Sequence, residues 1–168
     1  AGSLLGDPAF GILLYPTVYA NDTVAARQPV FDRLAAEAGK LIGDMKQPPA
    51  RTIRVVAFAN EEQGLHGGRA YAAAHLAEVG KHQIAAESDF GAGRIYAFDT
   101  SAPAHAQAAV QQIAQALAPL GIKQGPGEGG PGPDISPFAG QGLAWASLSQ
   151  DGTDYFDLHH TPDDTLDK

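Results

Sequence analysis

The sequence predicts an α/β fold with a largely parallel central sheet. Three observations carry that expectation. Short apolar runs alternate with amphipathic or alanine-rich stretches, the element order of such folds. The run Thr52 to Ala59 is mostly apolar, the mark of a strand covered on both faces. A chain of 168 residues has room for one domain around a single core.

The elements follow in order. Phe10 to Tyr19 is apolar and β-branched, and Pro16 weakens it to an edge or broken strand. From Val30 to Ile42 the apolar residues recur at helical spacing, leaving one buried stripe, and Gly43 ends the helix. Thr52 to Ala59 is a strand. Gly67 to Val79 is alanine-rich and helical. Gln83 to Ser88 and Arg94 to Phe98 read as short strands. Ser101 is placed to cap a helix with the stripe Val110, Ile113, Leu117 and Leu120. Gly121 to Pro133 is crowded with glycine and proline, so it is neither helix nor central strand. A loop of that length in a compact domain is functional or mobile. Leu143 to Leu148 is the last strand, and the whole chain, 1–168, reads as one domain.

Composition excludes several function classes. With 44 % hydrophobic and 18 % charged residues, the chain is neither a disordered tail nor a fibre. No run reaches the roughly 18 uncharged apolar residues of a membrane span, and no basic-then-apolar leader stands out. The net charge of −8 argues against nucleic-acid binding, since an acidic surface repels phosphate. Without cysteine, disulfides, thiolate zinc sites and cysteine nucleophiles are ruled out. A metal here would rest on histidine and carboxylate.

In open α/β sheets, chemistry sits beyond the carboxyl ends of the strands. Thr52 to Ala59 runs into Asn60-Glu61-Glu62, and IAAESDFG places Glu87 and Asp89 two apart on an extended chain. After LAWASL comes a polar stretch holding Asp154, Asp157, His159 and His160. Taken singly, the Glu pair is a solvated helix start, Asp89 a turn residue and His159-His160 a surface pair. Their recurrence at successive strand ends is what those separate readings do not predict. Carboxylates and imidazole on one rim are the donor set of a divalent site, zinc above all. GPGEGGPG lacks the strand-to-helix context of a nucleotide loop, and Ser136 and Ser147 sit on no nucleophile elbow. His75 and His105 read as surface or packing residues.

RTIRVVAFANEEQGLHGGRAYAAAH, IAAESDFG, GPDISP and DGTDYFDLHHTPDDTLDK resemble the zinc-dependent exopeptidase family of leucyl aminopeptidases and carboxypeptidase Q, carboxypeptidase Q more closely. The resemblance covers roughly Leu41 to Lys168. It implies a three-layer α/β/α sandwich and two zinc ions sharing a water. The implied reaction is removal of single residues from peptide ends, with peptide as substrate. It implies that Glu61 is the general base, Glu62 and His160 are ligands of the first metal, and Asp89 is a ligand of the second. Asp134 and Tyr155 fall where the family lines the substrate side. His159 falls beside the ligands or has no role. The resemblance also implies an extracellular or periplasmic location.

One part of the family pattern is missing. A strand ending in His-x-Asp and an aspartate bridging both ions precede the helix corresponding to Val30 to Ile42. Residues 1–29 hold no histidine, and the acids there, Asp7 and Asp22, stand in other contexts. The chain therefore reads as a truncated member whose first strands are missing. It is expected to hold at most one zinc ion, weakly, and to hydrolyse peptides poorly or not at all. It is a fragment of a longer peptidase, a chain completed by another chain or by self-association, or a degenerate relative. The last case belongs to another class: a non-catalytic scaffold, assembly subunit or peptide binder.

Overall fold

The structure, a computed structural model, describes residues 37–163 apart from 38, 48, 57, 88 and 92. The strand expected over Phe10 to Tyr19 and most of the Val30 to Ile42 helix lie outside the described residues, as does the stretch to which the expectation of missing first strands refers. Residues 39–43 are helical, where that helix was expected to end.

Four strands make one sheet. They are β1 (Ala85–Glu87), β2 (Ile95–Thr100), β3 (Lys123–Gln124) and β4 (Trp145–Gln150), in the spatial order β1-β4-β2-β3. β1 runs parallel to β4 and β2 parallel to β3, while β2 and β4 are antiparallel. The sheet is thus mostly parallel, as predicted, with one antiparallel joint. Three helices are placed around it: α1 (His66–His75), α2 (Gln107–Leu117) and α3 (Ser136–Ala139). A last short helix, α4 (Tyr155–Leu158), follows β4.

Two apolar clusters hold these layers together. Phe58, Ala72, Ala85, Ile135, Phe138 and Leu143 join α1 and α3 to β1. Phe98, Val110 and Ile122 join α2 to the β2–β3 side. Helices packed on a sheet through two separate clusters are what an α/β/α sandwich requires. In the first cluster Phe138 is 1 % exposed. Its ring meets Tyr71 at 5.6 Å and His82 at 4.8 Å between centroids, both edge to face. α1 lies close because Gly68 has no side chain: a Cβ there would overlap the Asp134 carbonyl oxygen.

Several local expectations are corrected. Thr52 forms an isolated bridge, and 53–56 carry no ladder among the described residues. An apolar run becomes a strand only when neighbouring backbone supplies its hydrogen bonds. The helix expected to reach Val79 tightens into a 3-10 turn over Leu76–Lys81. Ser101 caps no helix: its hydroxyl oxygen accepts the Trp145 N–H at 2.9 Å, tying the end of β2 to the start of β4. Ile113 and Leu120 leave the apolar stripe and are 48 % and 65 % exposed. The stripe in contact runs through Val110, Ala114 and Leu117. The glycine-rich loop includes edge strand β3 and is pinned by Asp99, whose Oδ1 accepts the Gly127 N–H at 2.7 Å. His75 is a packing residue, with its ring 4.3 Å from that of Tyr71.

Phe138 anchors the junction of α1, α3 and β1. Replacing it with alanine should cost about 3–5 kcal/mol of unfolding free energy. Urea denaturation would register this as a lower midpoint at unchanged slope.

Candidate functional site

Because β1 and β4 are parallel, their carboxyl ends lie at one edge of the sheet. Asp89 follows β1 by two residues, and α4 with His159 and His160 follows β4. Glu61 and Glu62 arrive by a different route. Phe58 is fixed in the core, and Asn60 then takes a left-handed conformation with φ 57°. The Glu61 carbonyl accepts the N–H groups of Gly64 and Leu65 at 2.9 and 2.8 Å. The acids therefore sit in a tight turn ahead of α1, not in its first turn. The solvated-helix-start reading of this pair is set aside on that geometry.

Among the residues singled out from the sequence, Glu62 and His160 are in direct contact. Nε2 of His160 lies 2.7 Å from Oε1 of Glu62, across 98 positions of chain. His160 adopts φ 61°, in the left-handed region that non-glycine residues rarely enter. Non-glycine left-handed residues thus stand at His160 and just before Glu61, and such strain gathers at functional sites.

Charge places Glu61, Asp89 and Asp134 in the same neighbourhood. The Glu61 carboxyl is raised above its ordinary range, first by burial and then by the Glu62 charge, against a lowering pull from His160. Asp89 is pushed up to about 7 by burial and by the charges of Glu61 and Glu62. Asp134 is pushed up to about 7 by burial and by Glu61 and Asp89. Asp134 is buried at 1 % exposure, beneath the rim. Oδ1 of Asp89 and both carboxylate oxygens of Asp134 are buried without a hydrogen-bond partner. Tyr155 stacks on Phe90 and on His159, at centroid distances of 4.2 and 4.4 Å.

Sequence reasoning left Glu87 without a role. It is buried and accepts the backbone N–H groups of Asp134 and Ile135, each at 3.2 Å. Burial pushes its carboxyl up to about 8. Glu87 thus latches the loop carrying Asp134 to β1. Its spacing from Asp89 was visible, but its hydrogen-bond partners lie 47 and 48 residues away.

The donor chemistry suits a divalent cation: carboxylate oxygens, one imidazole nitrogen, and buried acidic oxygens lacking partners. Among the described residues, however, no three histidine, aspartate or glutamate side chains converge closely enough to hold an ion. The contacting pair is Glu62 with His160, and Asp89 stands apart from a formed ligand set.

A pH dependence follows from the buried acids. Glu87, Asp89 and Asp134 keep their protons to higher pH in the folded chain than in the unfolded one. The folded state therefore binds more protons between the ordinary carboxylate range and about pH 8. Their stabilising contribution is complete below that window and is lost as pH rises through it. The melting temperature of the metal-free chain should fall from pH 5 to pH 8.5, and Glu87→Gln should flatten the slope. A flat or rising profile in thermal scans would contradict the assignment.

Comparison with known proteins agrees with this architecture. The sequence model of Peptidase family M28 matches residues 33–168. Carboxypeptidase Q from Mus musculus is 32 % identical over 130 residues, and that from Homo sapiens 33 % over the same length. The match takes in 77 % of this chain and 27 % of either relative, so the chain spans about a quarter of their length. The crystal structure of a Peptidase M28 precursor from Shewanella amazonensis SB2B superposes with a TM-score of 0.81 at 44 % identity. It covers 99 % of this chain and 38 % of that one. The expected likeness to metallopeptidases of the carboxypeptidase Q kind is therefore shown, and the chain belongs to Peptidase family M28.

Proposed function

We propose that this chain carries part of the centre of a metal-dependent exopeptidase, which hydrolyses a terminal peptide bond of a peptide substrate. The observation that carries the reading is the 2.7 Å contact between His160 and Glu62, with Glu61 beside it. In this reading Glu62 and His160 hold one zinc ion, and Asp89 belongs to a second position. A bound zinc ion supplies a water of lowered pKa and a polarised scissile carbonyl. Glu61 has a raised carboxyl and lies next to the ligand pair. It takes the water's proton and returns it to the leaving amine. Tyr155 and Asp134 fall on the substrate side. Retention at an extracellular or periplasmic location is part of the reading. Among the described residues no helix is long and apolar enough to cross a membrane.

A second reading is a non-catalytic scaffold that binds peptide or joins an assembly. The lack of three converging ligand side chains among the described residues favours it. In the enzyme reading the remaining ligands would come from a completing chain, a self-associated copy or a longer form of the protein.

The two readings separate in one set of measurements. After dialysis the chain should retain at most one zinc ion, and two stoichiometric ions would refute that count. Glu62→Ala and His160→Ala should each abolish retention. Glu61→Gln should leave zinc uptake unchanged and lower any terminal-peptide hydrolysis by about 10²–10⁴-fold. Hydrolysis that Glu61→Gln removes would establish the enzyme reading, whereas zinc uptake with no hydrolysis both in this chain and in a longer form that supplies the remaining ligands would establish the scaffold reading.

A further inference from the structure

His160 is an awkward residue on which to build a site. Its side chain is 56 % exposed and its backbone is left-handed. A ring so open to solvent would rotate unless something held its plane. Three other rings stand behind it. His159 stacks on His160 at 3.8 Å between centroids, with 27° between planes. Tyr155 stacks on His159 at 4.4 Å and 22°, and Phe90 stacks on Tyr155 at 4.2 Å and 23°. The four rings make a nearly parallel pile ending at the imidazole that touches Glu62.

The walls of the pile are built from backbone. Gly91, at φ 69°, faces Tyr155, and a Cβ there would come 2.9 Å from the ring. A Cβ at Gly152 would overlap the ring of Phe90. The side-chain amide of Gln150, at the end of β4, donates to the Gly91 carbonyl at 2.9 Å. Tyr155 and His159 are one helical turn apart, and the His159 N–H donates to the Tyr155 carbonyl at 2.8 Å. Phe90 directly follows Asp89. The pile therefore joins the loop carrying Asp89 to the loop carrying His160.

We propose that Phe90, Tyr155 and His159 form an aromatic pile that fixes the ring plane of His160 against Glu62, with Tyr155 as the central positioning residue. The Tyr155 hydroxyl lies 3.4 Å from Nε2 of His159, a long and weak contact beside the ring stacking, and stacking itself needs a flat ring and no hydroxyl. Phenylalanine at 155 should therefore preserve the arrangement, and leucine should break it. The proposal rests on the reading of His160 and Glu62 as the zinc-holding pair, and its test keeps the two apart.

Two readouts are needed in the full chain. The first is zinc affinity by competition with a chromogenic chelator. The second, in metal-free protein, is the nuclear Overhauser contact between the His160 ring and the Glu62 side chain. Tyr155→Leu should weaken zinc about tenfold, the usual effect of losing a residue that orients a ligand, and should erase the Overhauser contact. Tyr155→Phe should leave both within twofold of the unaltered chain. Phe90→Leu, two rings removed from His160, should act in the same direction and decides the matter if Tyr155→Leu does not fold. Unaltered affinity and an intact contact in the leucine variants would overturn the proposal. So would a Tyr155→Phe variant as impaired as Tyr155→Leu. If the unaltered chain takes up no zinc, the metal reading falls and the Overhauser contact alone judges the pile.

Discussion

Glu87 lies 4 % exposed in β1, and its two carboxylate oxygens accept the N–H groups of Asp134 and Ile135. That latch brings the 132–135 segment against the sheet. It also seats Ile135 and Phe138 in the core, each 1 % exposed. The same act buries Asp134 near Asp89, so apolar packing and acid crowding are inseparable here. Burying like-charged carboxylates is costly unless protons or a cation offset the charge. The fold accepts that cost at a single edge. Hydrophobic gain from the Phe58–Phe138 cluster is what holds the acids in place.

Sheet topology turns this crowding into a site. Parallel pairing of β1 with β4 sends both chains out at one edge, so residues far apart in sequence meet there. The antiparallel joint of β2 on β4 brings the start of β2 to the same edge, where the Asp151 N–H donates to the Arg94 carbonyl at 2.8 Å. Asn60, Gly91 and His160 then turn the backbone with positive φ. Each of these turns follows or precedes a packed element. Rigid elements with strained exits are a general way to aim side chains at a common point.

Much of this was legible from residues. Alternating apolar and helical runs identified the α/β class, and the acidic and histidine motifs named Glu62 and His160, which are in contact in the folded chain. What escaped was whatever depended on a distant partner. Thr52 to Ala59 reads as a strand by composition, yet among the described residues 53–56 carry no ladder, since a strand exists only through its neighbours' hydrogen bonds. Ser101 looks like a helix cap but accepts the Trp145 N–H, 44 residues on. Ile113 and Leu120 fit a helical stripe but are exposed: the side in contact runs through Val110, Ala114 and Leu117, and Leu120 falls where the helix tightens to 3-10 geometry after Leu117. Glu87 was read as one of two rim acids, and its latch could not be seen without Ile135 beside it. Phe90 and His159 carried no polar signal strong enough to mark a pile of rings.

Glu62 and His160 stand 98 positions apart, and the contact between them exists only in the folded chain. Any cation held by that pair binds the folded state and ignores the unfolded one. Binding and folding are then one equilibrium: an ion at 100 times its dissociation constant adds about 2.7 kcal/mol to stability. The buried acids push the same way from the other side. Without a cation they take up protons, and with one they release them, so metal and proton compete for the same charge. A sheet edge that draws carboxylates together therefore makes the chain's stability answer to whichever cation fills it. This coupling needs no catalytic turnover, and a scaffold on this fold would share it with an active peptidase.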